Sequence, residues 1–180
     1  MYRTHGSKFA PWWFGTSGAG RFDLSGPDGT CYAAESELIT MLETWGGIQR
    51  IPQPEVDKRS ISTLAAGREL WVADMTSNAA IQFGVTSEIS TTIDYPLTQQ
   101  WARALRDAGF DGIRYWARHE MTHADACVAL FAPSGDQSSA PTTPTDFTVL
   151  GSDGLSDRPD LWNAVQQTAG IEVLDIPGSF

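Results

Sequence analysis

Along SELITMLETW, residues 36–45, Leu38, Leu42 and Trp45 recur at three- and four-residue spacing, the period of one buried helical face. Ser36 stands where its hydroxyl can accept from a first-turn N–H, so a helix is predicted to begin there. Glu43 lies off the stripe, one turn after Ile39, which brings its carboxylate to the edge of a core without forcing it inside. Upstream, SGPDG followed by TCYAA predicts a turn and a short strand. A second stripe, Trp101, Ala102, Leu105 and Ala108, starts from Thr98 as cap and stops at Gly109. FDGIRYWAR then alternates, with Ile113, Tyr115 and Ala117 on one face and Arg114, Trp116 and Arg118 on the other; CVALF, residues 127–131, reads as its partner strand.

The remainder is less periodic. IQRIPQPEV and ELWVADM read as strands or extended segments, and SEISTTIDYP as a loop. SGDQSSAPTTPTD, residues 134–146, is polar, rich in proline and linker-like. After it come FTVLG, a helix over PDLWNAVQQTAG with Pro159 near its start and Gly170 at its end, and IEVLDI. This β-α-β tail, residues 147–180, is too short to fold alone and is expected to pack on a core formed by residues 1–133. The chain therefore reads as one α+β domain over residues 1–180, without internal repeats.

Composition narrows the functions. A net charge of −10 and a pI near 4.5 exclude broad binding to nucleic-acid phosphates, which needs many cations. A small anionic ligand stays compatible, because a few converging arginines make a local positive site. No apolar run approaches the roughly 20 residues of a membrane span, and MYRTHGSKFA lacks the apolar centre of a secretion signal, so a soluble, cytoplasmic protein without membrane contact is expected. Cys31 and Cys127 are expected as reduced, buried thiols. His119, Glu120 and His123 fall in HEMTH, a loop-like, threonine-containing stretch rather than an apolar helix, and no metal is expected there. GTSGAG before Arg21 can bring backbone amides near a ligand, but it matches neither GxGxxG nor the GxxxxGK[ST] phosphate loop.

The candidate chemistry sits in GRFDLSGPDGTCYAAESELITMLE, where Arg21, Tyr32 and Glu43 are separated by two gaps of 11 residues. Each has a plain structural use: a solvated turn, a packed strand ring, a helix surface. Together they also suit cleavage of an N-glycosidic bond. A carboxylate stabilises positive charge developing on a ribose, arginines hold a pyrophosphate, and a ring stacks on a departing nicotinamide, without a metal.

The ordered pieces YRTH, GRFD, GTCYAA, LITMLE, TTIDYPLTQQWARALRDAGFDGIRYWAR and CVALF, spanning residues 2–131, resemble the RES domain family. These are the NAD-degrading toxins of bacterial RES and Xre toxin–antitoxin pairs, with a fold similar to that of ADP-ribosyltransferases. The resemblance implies a mixed or split antiparallel sheet flanked by helices, NAD as substrate, no cofactor, and an Xre-like antitoxin as partner. It implies Glu43 as catalytic carboxylate, Arg21 and Arg3 at the phosphates or ribose, Tyr32 at the nicotinamide, and Arg118 as a further ligand contact. Homo-oligomerisation is compatible with it. The acceptor is left open between water and inorganic phosphate. One departure stands out: where the family carries Tyr-x-Ser-Arg, this chain has Tyr115, Trp116, Ala117 and Arg118, and Ala117 cannot donate a hydrogen bond. Two rival expectations are a mono-ADP-ribosyltransferase acting on a protein and an NAD-binding module that has lost its chemistry.

Overall fold

The computed structural model describes residues 1–142 and 145–175. In chain order it contains strands β1 (Tyr2–Gly6), β2 (Trp13–Phe14) and β3 (Asp28–Ala34), helix α1 (Glu37–Trp45), strand β4 (Arg50–Pro52) and the single-turn helix α2 (Gln53–Val56). Strands β5 (Arg59–Ala66) and β6 (Val72–Asp74) follow, then helices α3 (Glu88–Thr91) and α4 (Tyr95–Asp107). The chain continues through β7 (Gly112–Trp116), β8 (Ala126–Pro133), β9 (Gly135–Asp136), β10 (Phe147–Gly154), α5 (Pro159–Ala169) and β11 (Glu172–Leu174).

Seven strands form one sheet in the order β10-β5-β1-β3-β8-β7-β6, antiparallel except for the β6–β7 pair. Alternation along β3 explains how the layers stack. Tyr32 and Ala34 face the larger core with α1, α5 and Phe22, whereas Cys31 and Ala33 face a smaller one with Trp12, Phe14, Leu64 and Leu130. Ser36 caps α1 as its sequence predicts, accepting from the Ile39 N–H at 3.3 Å. Arg158 holds the start of α5 against α1 through two 2.9 Å bonds to Glu37.

Several expectations are corrected. Helix α4 begins at Tyr95 rather than at Thr98, because Asp94 caps it by accepting from the Leu97 N–H at 3.2 Å and Pro96 suits its first turn. SEISTTIDYP is not all loop, since it contains α3. RSISTLAA forms β5, the strand second from the sheet edge; only Ile61 and Leu64 are large and apolar in it, too few to show a period of two. The segment 134–146 contains β9, which pairs with β2, and Ser139 bridges to Thr148; residues 143–144 within it lie outside the described residues. In the tail, β10 is an edge strand of the main sheet on β5 and β11 pairs in parallel with β4; residues 176–180 lie outside the described residues.

Candidate active site

The site arises where the sheet comes apart. β1 pairs with β5 along five residues, but with β3 only at Tyr2 opposite Ala34. Past that point the strands diverge, and the Thr4 N–H donates at 2.8 Å to the Thr40 hydroxyl of α1 instead of to β3. A cleft of about 310 Å³ opens in the gap, lined by Arg3, Arg21, Tyr32, Glu43, Tyr95 and Tyr115 among others.

Arg21 reaches the cleft from a turn that Tyr32 holds in place. The Tyr32 hydroxyl accepts from the Phe22 N–H at 2.8 Å and donates to Asp23 Oδ1 at 2.9 Å. Burial first, then the Asp23 carboxylate, raise the phenol well above its ordinary pKa, so it stays a donor. Gly20 makes the approach feasible: a Cβ there would lie 2.5 Å from the Tyr32 hydroxyl. The ring of Tyr32 thus lines the cleft while its hydroxyl serves the turn. Tyr32→Phe leaves the Phe22 N–H and the Asp23 carboxylate short of a partner, and we expect it to cost about 1–3 kcal/mol of stability. Urea unfolding measures this, and an unchanged midpoint removes the hydroxyl from that role.

Arg21 is 8% exposed. Its Nη1 donates to the carbonyls of Thr92 at 2.7 Å and Ile89 at 3.4 Å, and it lies 5.5 Å over the Tyr95 ring. Arg68, Arg106, Arg114 and Arg158 all meet carboxylates, whereas among the described residues Arg21 meets none within 4.0 Å. Burying a cation costs several kcal/mol unless something of opposite charge compensates. Carbonyl dipoles and the Tyr95 face offset part of that cost. An anion in the cleft would supply the rest.

Glu43 approaches from α1 on the other wall. Its Oε1 accepts from the N–H groups of Arg118 at 2.7 Å and His119 at 3.2 Å, while Oε2 has no protein donor among the described residues. The loop giving those N–H groups is itself fixed. Trp116 and His123 stack at 5.0 Å, Glu120 accepts from the N–H groups of Thr122 at 2.7 Å and Ala124 at 3.2 Å, and the His119 ring covers Gly46 so closely that it leaves no room for a Cβ there. The side chains of the HEMTH stretch therefore shape this loop.

Arg3 stands at the split, with Nη1 donating to the carbonyls of Pro11 at 2.8 Å and Trp13 at 3.0 Å and touching the Cys31 sulfur. The structure thus gathers Arg3, Arg21, Tyr32 and Glu43 around one cleft. Arg118 is different: its backbone N–H binds Glu43, but its side chain is not part of the lining. Ala117, at the family's serine position, is 4% exposed, belongs to the same larger core as Tyr115, and is not among the cleft-lining residues. Tyr115, which no local signal separates from a packed strand face, lines the cleft edge-on to Phe22 at 4.9 Å. Burial raises its pKa and that of the neighbouring Cys127 thiol, keeping both protonated.

Fold and site together define an α+β protein with a cleft in a split antiparallel sheet, lined by two arginines and by a glutamate with one oxygen unbonded among the described residues. The chain belongs to the RES domain family, whose model matches residues 1–149. That match runs past CVALF through the linker-like segment into β10. A chain from the crystal structure of the M. tuberculosis MbcT–MbcA toxin–antitoxin complex is similar in fold, with a TM-score of 0.68 and 18% identity over 93% of this chain and 88% of that one. No curated protein matches the sequence. Among the described residues no helix is long and apolar enough to cross a membrane.

Proposed function

We propose that this cleft cleaves NAD between nicotinamide and ribose, making the protein the toxin of a toxin–antitoxin pair. The observation that carries the reading is one cleft lined both by a buried Arg21 with no carboxylate partner among the described residues and by Glu43, whose Oε2 has no protein donor among them. Arg21, with Arg3, binds the pyrophosphate and fixes the substrate's register. Tyr32 and Tyr115 offer ring surface to the nicotinamide. As the C1′–N bond breaks, its electron pair leaves with neutral nicotinamide and the ribosyl carbon becomes positive. Glu43 Oε2 stabilises that charge directly or through the 2′-hydroxyl, and its held Oε1 keeps it from reorienting. An acceptor then attacks C1′ and loses a proton: water gives ADP-ribose, inorganic phosphate gives the 1-phosphorylated sugar. The substrate places the action in the cytoplasm. The partner would be an Xre-like antitoxin covering the cleft, a reading supported by the toxin–antitoxin assembly of the structural neighbour.

The test is incubation with NAD, with and without inorganic phosphate, following nicotinamide and the mass of the sugar product. Nicotinamide release with ADP-ribose or its phosphate as the only product supports the reading and names the acceptor. A labelled protein in place of free sugar establishes the mono-ADP-ribosyltransferase. Binding of NAD without release at stoichiometric enzyme establishes the inactive module, for which Ala117→Ser is the variant to examine next.

A further inference from the structure

A second, larger groove of about 730 Å³ continues from the catalytic cleft, with Arg3 and Thr4 lining both. Lys8 and Lys58, the chain's two lysines, line it together with Arg3 and Arg59. In a protein of net charge −10 this is a local concentration of cations, opposed in the groove by Glu55 and Asp57. Glu55 pairs with Lys58 at 2.6 Å in an exposed contact of little energetic weight, and Asp57 already accepts from Ser156 and Gln53. Phe9 and Trp13 form a tilted pair 5.8 Å apart that is 56% and 39% exposed. The buried Trp12 indole N–H donates to the Thr148 carbonyl, while that of Trp13 has no protein acceptor among the described residues. Open rings beside Lys8 and Lys58, with Arg3 held by two carbonyls and Arg59 lying 5.5 Å over the Trp45 ring in the same groove, suit a nucleobase carrying phosphates: stacking holds the base and charge holds the phosphates.

We propose that this groove binds the adenosine phosphate half of the dinucleotide, adenine against Trp13 and Phe9, with the phosphates passing Lys8, Lys58 and Arg59 towards Arg3 at the junction. The inference rests on the NAD reading of the cleft. At about 310 Å³ the cleft is at the small end of ligand sites, enough for the nicotinamide riboside end alone, and the shared Arg3 and Thr4 lead from it into the groove. Its functional consequence is a preference for the dinucleotide over nicotinamide mononucleotide.

The experiment measures ADP binding by calorimetry for the protein, Trp13→Ala and Lys8→Glu, together with kcat/KM for NAD and for nicotinamide mononucleotide. ADP is expected to bind in competition with NAD. Each variant should weaken ADP roughly tenfold and lower the NAD to mononucleotide ratio of kcat/KM by a similar factor. Both side chains are exposed, and thermal melts verify that the variants fold. Undetectable ADP binding, binding indifferent to both variants, or binding that does not compete with NAD overturns the groove. Variant-sensitive, competitive ADP binding without turnover of either substrate leaves the groove standing and refutes the cleavage reading instead.

Discussion

Glu43→Gln is expected to slow nicotinamide release by roughly 100- to 1,000-fold, the range seen when one aimed electrostatic group is removed from a reacting centre. The substitution is isosteric, and the amide oxygen can still accept from the N–H groups of Arg118 and His119, so the loop that frames the cleft stays in place. What changes is the open oxygen, which becomes an N–H donor without charge facing a ribosyl carbon that turns positive. The loss should therefore fall on kcat, with NAD affinity and the unfolding midpoint close to those of the parent chain. A variant of near-parental kcat removes Glu43 from the chemistry.

Arg21→Met tests the opposite wall and separates binding from folding. Removing the cation should weaken NAD roughly 100-fold, the scale seen when one partner of a buried, hydrogen-bonded charge pair is truncated. Stability should move the other way or not at all. The parent chain carries the desolvation of a buried guanidinium, several kcal/mol. Methionine removes that cost and forfeits the donors to the Thr92 and Ile89 carbonyls, at about 1 kcal/mol each. Calorimetry of the unliganded protein is the measurement. A midpoint well below that of the parent, with NAD affinity intact, assigns Arg21 to tying down the α3–α4 segment rather than to a ligand.

Local signals in the sequence were sufficient for α1, for the strand carrying Tyr32 and for the two faces of β7, because caps, turn residues and periodicity act within a few positions. Arg21, Tyr32 and Glu43 could be picked out by type and spacing, and the fold brings them to one cleft. Their finer duties were not legible. Arg21 reads in the sequence as compatible with a solvated turn but is buried, since what encloses it, Ile89, Thr92 and Tyr95, comes from some 70 positions away. The Tyr32 hydroxyl is used on its own turn, and Arg118 acts through its backbone, which no side-chain motif announces. Tyr115 was indistinguishable from a packed strand residue, because burial in a core and burial beside a cleft produce the same alternation. The divergence of β1 from β3 was equally invisible: pairing depends on where distant backbones meet, and it leaves no period in either strand.

That divergence has a mechanical side. Between β3 and β8 seven residue pairs resist shear, and between β1 and β5 five, whereas a single pair joins the two half-sheets along the backbone seam. Amide hydrogen exchange should accordingly find the N–H groups of β1 that face the gap among the least protected in the sheet interior, and those of β3 facing β8 among the most. With one backbone pair against five and seven, the width of the gap is expected to yield before the spacing of the flanking strand pairs does. Arg3 lies on β1 beside the gap and Glu43 on α1, which packs against both β1 and β3, so a ligand touching both residues would tie the strand to the helix that bridges the two half-sheets.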